Sequence, residues 1–205
     1  MARGKFIVLD GGEGAGKTTV LAQVKDMFRS PTLLTREPGG TAFAEEIRTL
    51  TNSDTYKHLS PESFFALIWA ARADHVLSVI EPTLKQGTNV IVDRFDSSTY
   101  AYQLCGQEAT HLEKLFWMMR DAFLKKTVPD LYILLDVDPG IGLARARQRP
   151  GARTHFDSRE LSFHRRVRDG FKSFLSQVPH KVIDAGKPLE EVKEAFLEIT
   201  QRVIL

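Results

Sequence analysis

The stretch Gly11–Thr18 combines glycines, a lysine and a threonine in a spacing that can hold phosphate groups. Its sequence, Gly-Gly-Glu-Gly-Ala-Gly-Lys-Thr, matches the pattern G-x-x-x-x-G-K-[ST] without interruption. Glycines let successive backbone N–H groups turn toward a polyphosphate, and a following helix adds its unpaired N-terminal donors. Lys17 is predicted to reach the β- and γ-phosphates, and the Thr18 hydroxyl is predicted to face Mg²⁺. The sequence therefore predicts a nucleoside triphosphate site.

Aspartates stand at or just after the ends of two apolar runs of sequence, and a carboxylate in such a position could bind a metal ion. Asp93 closes one run, and Asp136 and Asp138 follow the next. Ligands of parallel sheets lie beyond the carboxyl ends of the strands, so each aspartate is a candidate to hold the Mg²⁺ of Thr18. A turn or helix-capping aspartate is the other interpretation of each position. Asp93 is favoured for the metal, because Arg94 beside it makes a mixed-charge site suited to phosphate and magnesium together.

Arginines are concentrated between residues 145 and 168, around the break Arg149-Pro150-Gly151. We predict that Arg149 and Arg153 belong to a mobile lid at about residues 145–157 that closes over the polyphosphate and neutralises the transferring group. A solvated helix face accounts for most of the arginines farther along. Nucleic acid also binds such clusters, but no aromatic residue is interleaved with the arginines that flank the break, from Arg147 to Arg153.

Arg72 lies in an apolar helical pattern, where an unpaired guanidinium is costly, so either a ligand or an internal salt bridge is expected to pair with it. The six histidines have no metal-ligand spacing among them and are given no catalytic role. The single cysteine, Cys105, shows no sign of activation as a nucleophile.

Strand and helix patterns alternate along the whole chain. Apolar runs predict strands over 6–10, 31–35, 89–93, 131–137 and 181–184. Helical spacing predicts helices over about 19–28, 42–50, 61–80, 110–125, 139–148, 158–175 and 189–203. The segment 94–106, with Tyr102 and Gln103, is predicted to be a loop that leads into another element. Alternation of this kind predicts one α/β domain with a five-stranded parallel sheet covered by helices on both faces.

Composition narrows the class of protein. The chain has 205 residues, 42% of them hydrophobic, which is enough to bury a substantial core. A net charge of +2 calls for neither a nucleic-acid nor a membrane partner. One cysteine, no signal-peptide pattern and no run of eighteen apolar residues predict a soluble, cytoplasmic protein.

Four blocks of sequence together resemble the thymidylate kinase family, whose members phosphorylate dTMP to dTDP. They are Gly11–Thr18, Thr35-Arg36-Glu37-Pro38-Gly39-Gly40-Thr41, Asp93-Arg94-Phe95 and Ala101-Tyr102-Gln103. The second block is very specific to the family, whereas the first is shared by many kinases. The resemblance covers nearly all of the chain. It implies the three-layer P-loop NTPase sandwich with a small lid, ATP and dTMP as substrates, Mg²⁺ as cofactor, and a homodimer.

The resemblance also implies a role for each matching residue. The ATP-binding set is Gly11, Gly12, Glu13, Gly14, Ala15, Gly16, Lys17, Thr18, Thr19 and Arg145. The dTMP-binding set is Arg36, Glu37, Pro38, Ile68, Arg72, Arg94, Thr99, Tyr102 and Gln103. The metal-binding set is Thr18, Asp93 and Glu37. The catalytic set is Lys17, Arg94, Arg149 and Arg153, as in the bacterial type, whose lid supplies the catalytic arginine.

Within the dTMP set, Arg94 is expected to hold the acceptor phosphate, with Arg36 close to it. Arg72, Thr99 and Gln103 match positions that contact the thymine. Tyr102 matches the residue that crowds the 2′ position of the sugar and so favours deoxyribose, and Arg145 falls where the family stacks an arginine near adenine.

The chain departs from the family pattern in two places. The family usually has a phenylalanine four residues before the arginine matched by Arg72, whereas this chain has Ile68 there, next to Trp69. The lid has Thr154-His155-Phe156-Asp157 where the family tends to show Asp-Arg-Phe-Glu. A kinase for another deoxynucleoside monophosphate therefore remains an alternative. A nucleotide-dependent switch or binding module is a second alternative, and an ATPase acting on nucleic acid a third.

Overall fold

The computed structural model describes residues 2–53, 55, 58–148, 156 and 158–204. Its centre is a sheet of five strands, all parallel, in the order β2-β3-β1-β4-β5. The strands are β1 (Phe6–Gly11), β2 (Thr32–Arg36), β3 (Asn89–Asp93), β4 (Leu131–Asp136) and β5 (His180–Asp184). Each lies within one or two residues of its predicted range. The predicted α/β fold with a five-stranded parallel sheet is confirmed.

Helices connect the strands and cover the sheet. They are α1 (Lys17–Val24), α2 (Ala42–Asn52), α3 (Pro61–His75), α4 (Glu81–Lys85), α5 (Asp96–Thr99), α6 (Glu113–Leu124), α7 (Pro139–Gln148), α8 (Leu161–Leu175) and α9 (Leu189–Ile204). Two π-helical segments (Val76–Ile80 and Tyr100–Gly106) and a short 3₁₀ turn (Thr110–Leu112) complete the described secondary structure. The first helix begins two residues earlier than predicted, directly at Lys17, which points the free N–H groups of its first turn at the loop before it.

Strand residues alternate between two cores, one on each face of the sheet. Phe6 and Val8 of β1 belong to one buried cluster, whereas Ile7 and Leu9 belong to the other. This period of two is the pleat of a strand buried on both faces. Each fully buried side chain of this size contributes about 1.5–3 kcal/mol, so the strand core is a rigid base for the residues that follow each strand.

A long helical stretch runs past the predicted end near residue 80. The Glu81 N–H group donates to the Val76 carbonyl, a π-type bond, and the helix then continues through Pro82 to Lys85. Since proline has no N–H to donate, the locally altered hydrogen bonding of the π turn accommodates it. The stretch Pro61–Lys85 is long and apolar enough by composition to cross a membrane, with a window of mean hydropathy 1.3, half of it buried inside the fold.

A further element does begin within 94–106, as predicted, but the prediction that Tyr102 and Gln103 lie in a loop before it is wrong. Residues Asp96–Thr99 form α5, and Tyr100–Gly106 continue it as a π-helical segment. Tyr102 and Gln103 therefore lie on a helix. Gly170 of α8 lets this segment approach closely, because a Cβ there would lie 2.9 Å from the Ala101 Cα. Packing against α8 thus fixes a segment whose local sequence favours no helix.

Candidate functional site

One cleft of about 850 Å³ lies at the carboxyl ends of β1, β2 and β3. Its lining includes all nine residues predicted to bind dTMP: Arg36, Glu37, Pro38, Ile68, Arg72, Arg94, Thr99, Tyr102 and Gln103. It also includes most of those predicted to bind ATP: Glu13, Gly14, Ala15, Gly16, Lys17, Thr18, Thr19 and Arg145. Gly11 and Gly12 are not among the residues that line this cleft. Residues distant in sequence therefore face a single space, as expected beyond the strand ends of a parallel sheet.

The phosphate loop is held open by glycine geometry. Gly16 caps α1 with a φ of 88°, and Gly14 has a φ of 69°. A Cβ on Gly14 would lie 1.9 Å from the Gly142 carbonyl oxygen, so glycine is required where the loop touches α7. Lys17 folds back over the loop, and its Nζ donates to the Gly11 carbonyl at 2.9 Å. Burial lowers the pKa of Lys17, an effect enhanced by nearby Arg94 and opposed by the surrounding carboxylates.

Thr18 and Asp93 meet across the loop, with 3.4 Å between Thr18 Oγ1 and Asp93 Oδ2. Asp93 Oδ1 is buried and accepts no hydrogen bond from the residues that the structure describes. A hydroxyl and a carboxylate with an unused oxygen suit Mg²⁺, which is bound in kinases through one or two carboxylates plus substrate phosphates. In the described ranges no group of three or more His, Cys, Asp or Glu side chains could hold a metal without the nucleotide.

The two rival aspartates have other partners. Both carboxylate oxygens of Asp136 accept from Arg168 of α8, at 2.7 and 2.9 Å. Asp138 accepts from the Gly140 N–H at 2.8 Å, at the start of α7, as the capping interpretation expected. This favours Asp93 as the metal-side carboxylate.

Arg94 stands at the centre of the cleft on a strained backbone. Its φ of 69° lies in the left-handed region, which is uncommon for a residue with a Cβ. The guanidinium donates to the Gly11 carbonyl and to Glu13 Oε1, both at 3.1 Å, and lies 3.5 Å from Asp10. Burial acts to lower the pKa of Arg94, but Tyr102 and the carboxylates around it raise it above its ordinary value. Arg94 is therefore a permanent, firmly placed cation.

Glu13 belongs to the predicted ATP-binding set, but its carboxylate contacts two residues predicted to bind dTMP. Its Oε1 accepts from the Tyr102 hydroxyl at 2.9 Å as well as from Arg94. Burial would raise the pKa of Glu13, but Arg94, Lys17 and the Tyr102 hydrogen bond together lower it. The carboxylate therefore links the phosphate loop to two residues predicted to hold the acceptor.

Arg72 forms a buried network, so the expected internal salt bridge exists. Its Nε donates to Glu37 Oε2 at 2.8 Å, and its Nη1 donates to Thr99 Oγ1 at 3.0 Å. The other Glu37 oxygen lies 3.2 Å from His75 Nδ1, and His75 Nε2 lies 2.9 Å from Thr35 Oγ1. Both oxygens of Glu37 are thus engaged by α3 side chains. Its role as a Mg²⁺ ligand stays a prediction.

His75 is a site residue that the sequence interpretation missed. It is fully buried and ties β2 to Glu37 through the contacts above. Gly40 has a φ of 85°, and a Cβ there would lie 2.3 Å from His75 Nε2. The glycine pair after Pro38 therefore makes room for the histidine, a relation that sequence spacing alone does not reveal.

Arg48 of α2 is a second residue that the sequence interpretation missed, and it lines the cleft beside Arg36. Its Nη1 donates to the Pro38 carbonyl at 3.1 Å. Burial lowers the pKa of Arg48, as do the neighbouring arginines. Arg36 makes two hydrogen bonds to the exposed Glu45, at 3.1 and 3.0 Å. The helical spacing of Glu45 and Arg48 was the available signal, since they follow the family-specific block by about one and two helical turns, respectively.

Aromatic rings form part of the wall. Phe64 and Phe156 line the cleft together with Ile68 and Tyr102. Trp69, which adjoins Ile68 in sequence, is instead fully buried in the core and stacks on Phe123. An α-helix turns by about 100° per residue, so Trp69 cannot take the direction of position 68.

The far end of the cleft lies near the β5–α9 connection. Arg145 of α7 donates from Nη1 to the Ala185 carbonyl at 2.7 Å. The residues from Ala185 to Leu189 line this end of the cleft. They were not predicted to be site residues, although they too follow the end of a strand. The two predicted lid arginines, Arg149 and Arg153, lie outside the described residues.

Comparisons with known proteins agree with this geometry. The family model described as "Thymidylate kinase" matches residues 9–196. A thymidylate kinase of Magnetococcus marinus is 40% identical over 93% of this chain and 92% of its own length. One from Shewanella loihica is 41% identical over 97% of this chain and 95% of its own. The crystal structure of thymidylate kinase from Ehrlichia chaffeensis superposes with a TM-score of 0.75 at 29% identity, covering 96% of this chain and 98% of that one. The resemblance is confirmed: this chain belongs to the thymidylate kinase family.

Proposed function

We propose that the cleft holds ATP and dTMP end to end, for the ATP-dependent phosphorylation of dTMP to dTDP that the family carries out. The observation that carries this arrangement is the continuity of the cleft. One space of about 850 Å³ reaches from the phosphate loop and Arg145 to Arg72 and Gln103. Such a volume is within the usual range of ligand clefts.

ATP would occupy the side formed by the phosphate loop, α7 and the β5–α9 connection. The N-terminus of α1 offers backbone donors to the β-phosphate, and Lys17 replaces its contacts with the Gly11 and Gly12 carbonyls by contacts with phosphate oxygens. Thr18 and Thr19 follow in the first turn of the helix. Arg145 is supported by the Ala185 carbonyl and would stack near adenine.

dTMP would occupy the opposite side, with its phosphate toward the donor. Arg94 and Arg36 are the cations assigned to that phosphate, and both already lie at the cleft surface. Arg72, Thr99 and Gln103 are assigned to the polar edge of the thymine. All three are buried, so their donors and acceptors are available to a ligand with little competition from water. Tyr102, fixed by its bond to Glu13, would crowd the 2′ position of the sugar.

Mg²⁺ is assigned to Thr18 and Asp93. Mg²⁺ held there would neutralise negative charge on the transferring phosphoryl group. The unused Asp93 Oδ1 and the Thr18 hydroxyl support this assignment. Glu37 would act at a distance, by holding Arg72.

Phosphoryl transfer here needs no covalent intermediate with the protein. Its catalysis rests on alignment of the two nucleotides and on cations placed where charge is spread in the transition state. Lys17 and Arg94, which both donate to the Gly11 carbonyl, would supply such cations. From the sequence, Arg149 or Arg153 of the lid is predicted to provide a further positive charge. The closed lid would also exclude water and so prevent hydrolysis of ATP.

A homodimer and a cytoplasmic location are further parts of the proposal. Large apolar side chains are exposed on α6, namely Leu115 and Met118, and Leu77 is exposed after α3, with which α6 is in contact. Exposed apolar side chains on neighbouring helices suit an interface between copies. Light scattering of the purified protein would give twice the chain mass if the dimer forms.

The decisive experiment is a panel of acceptors in one coupled assay of ADP formation. The proposal predicts the highest kcat/KM with dTMP among dTMP, dUMP, dCMP, dGMP and AMP. A preference for another deoxynucleotide would support the alternative left open by Ile68. ATP turnover that ignores every monophosphate would refute the kinase assignment and favour a switch.

A further inference from the structure

An aromatic group of three rings forms one wall of the cleft: Phe64, Tyr102 and Phe156. Phe156 stands between the other two. Its ring centroid lies 5.7 Å from that of Phe64 and 5.3 Å from that of Tyr102, with edge-to-face angles of 78° and 77°. These distances and angles are those of favourable aromatic contacts. The wall is thus built from three separate parts of the chain.

The body of the protein holds Phe156 in this position. Its ring stacks on Phe163 of α8 with centroids 6.2 Å apart and an angle of 20°. Phe163 is buried in the main core and also contacts Tyr102. A ring supported from behind in this way needs little ordering when a ligand arrives, which favours binding.

The chemistry around the wall is that of a planar, polar-edged ligand. Arg72, Thr99 and Gln103 are buried in the same part of the cleft, where they offer hydrogen bonds to a ring edge. Ile68, one helical turn after Phe64, presents an aliphatic side chain there. A heterocycle placed among these groups would therefore find hydrogen-bonding partners at its edge and aromatic surface from Phe64, Phe156 and Tyr102. Phe95 also lines the cleft, but its ring is fully buried beneath the Arg72 guanidinium, which lies 5.2 Å from the ring centroid.

Because Tyr102 is assigned to the sugar and Ile68 has no ring, we infer that Phe156, supported by Phe64, provides the aromatic surface on which the thymine of dTMP packs. The inference rests on the proposed placement of dTMP and adds a specificity-determining residue to it. Phe156 also lies between the predicted lid arginines and α8 in sequence.

The test is Phe156→Leu, which removes the ring but keeps an apolar side chain. Loss of a base–aromatic contact predicts a rise of about tenfold in KM for dTMP and in its Kd by calorimetry. The KM for ATP stays within about twofold, because the adenine side is untouched. Phe64→Leu gives a smaller rise in the same direction. Phe156→Tyr keeps the ring and retains the wild-type KM.

Two controls separate base packing from general damage. The inhibition constant of 2-deoxyribose 5-phosphate, which has the sugar and phosphate but no base, is expected to be the same in wild type and Phe156→Leu. Phe43→Leu, at an exposed phenylalanine of α2 outside the cleft lining, leaves every constant unchanged. The double variant Ile68→Phe/Phe156→Leu regains a KM for dTMP near the wild-type value, because a ring returns to the wall from α3.

An unchanged or lower KM for dTMP in Phe156→Leu would overturn the inference, as would an equal loss of affinity for dTMP and for the baseless sugar phosphate. These results differ from failure of the proposed function. In that case the wild-type protein itself would not phosphorylate dTMP, whatever stands at position 156.

Discussion

The buried ion pair between Arg72 and Glu37 makes a sharp prediction about stability. The two groups lie 2.8 Å apart, with side chains only 1% and 4% exposed. In Glu37→Gln the carboxylate charge is lost and the Arg72 guanidinium stays buried without a counter-ion. Breaking a buried pair from one side typically costs about 3–5 kcal/mol. The variant is therefore expected to fold but to be clearly less stable.

The structure indicates the lower end of that range. Arg72 keeps its hydrogen bond to Thr99 and lies over the rings of Trp69 and Phe95, at 4.7 and 5.2 Å from their centroids. The glutamine carbonyl can also still accept from the guanidinium. We therefore expect a loss of about 3 kcal/mol. For a chain of this size that corresponds to a fall of about 6–12 °C in melting temperature.

Thermal melts followed by circular dichroism at pH 7 measure the effect. Glu198→Gln is the matched control, since Glu198 pairs with Arg202 on the exposed face of α9 and the substitution removes the same charge. An exposed pair contributes below about 1 kcal/mol, so this control should melt within about 2–4 °C of wild type. A Glu37→Gln variant that melts as the control does would refute the reasoning.

A second variant separates stability from function. In Glu37→Leu/Arg72→Leu both charges are gone, so no charge is left buried, and much of the lost stability should return. The double variant should nevertheless have a much higher KM for dTMP, because the guanidinium assigned to the thymine is absent. If stability and dTMP binding fall and recover together across the variants, Arg72 is a structural residue alone.

Four further predictions concern the phosphate loop, the metal side and the lid. Lys17→Ala should lower kcat by at least about a hundredfold, because a charge-stabilising donor is lost, and near wild-type rates in a coupled ADP assay would exclude this role. EDTA should abolish activity, and added Mg²⁺ should restore it. Because the Asp93 carboxylate is assigned to the ion, Asp93→Asn should require at least about tenfold more Mg²⁺ for the half-maximal rate. Burial acts to raise the pKa of Glu13, but the neighbouring cations and a hydrogen bond lower it below the ordinary 4.5. The ionised carboxylate therefore stabilises the folded protein above pH 4.5, and this contribution to the free energy of unfolding is lost as the pH falls through the lowered pKa. The difference in melting temperature between wild type and Glu13→Gln should accordingly be full near pH 7 and shrink below about pH 4.5, and a constant difference would contradict it. Joint replacement of Arg149 and Arg153 by alanine should also lower kcat by about a hundredfold or more. An unchanged kcat would show that neither arginine contacts the γ-phosphate.

The fold could be predicted from the sequence because its signals are local. Each strand of the sheet is a short run of apolar residues, and runs separated by helices require parallel pairing. The segment Asp96–Gly106 could not be predicted in this way. Asp, Ser and Thr favour turns when considered alone, and here Ser97 and Ser98 donate to Asp10 of β1 while α8 packs against the next turn. Tertiary contacts therefore determine that this segment is helical.

The residues of the site also fall into two groups, those that local sequence could identify and those that only the fold brings together. The phosphate loop is contiguous in sequence, so its residues could be named from one motif. His75 could not, because its partners Thr35 and Glu37 lie 40 and 38 residues away and only the fold joins them. Glu37 was assigned to the metal from the resemblance, yet the structure occupies both of its oxygens with Arg72 and His75. Long-range pairing is the information that the sequence pattern lacks.

The cations of the cleft share one property that bears on catalysis: each is already engaged before a nucleotide binds. Arg94 contacts Glu13, Arg36 contacts Glu45, and Lys17 contacts loop carbonyls. These partners hold the charged groups in place, so phosphate binding exchanges one set of hydrogen bonds for another and needs little reorganisation. The lowered pKa of Lys17 belongs to the same state, because an arriving polyphosphate would favour the charged amine and raise that pKa again. Substrate charge therefore completes the electrostatic balance of the site.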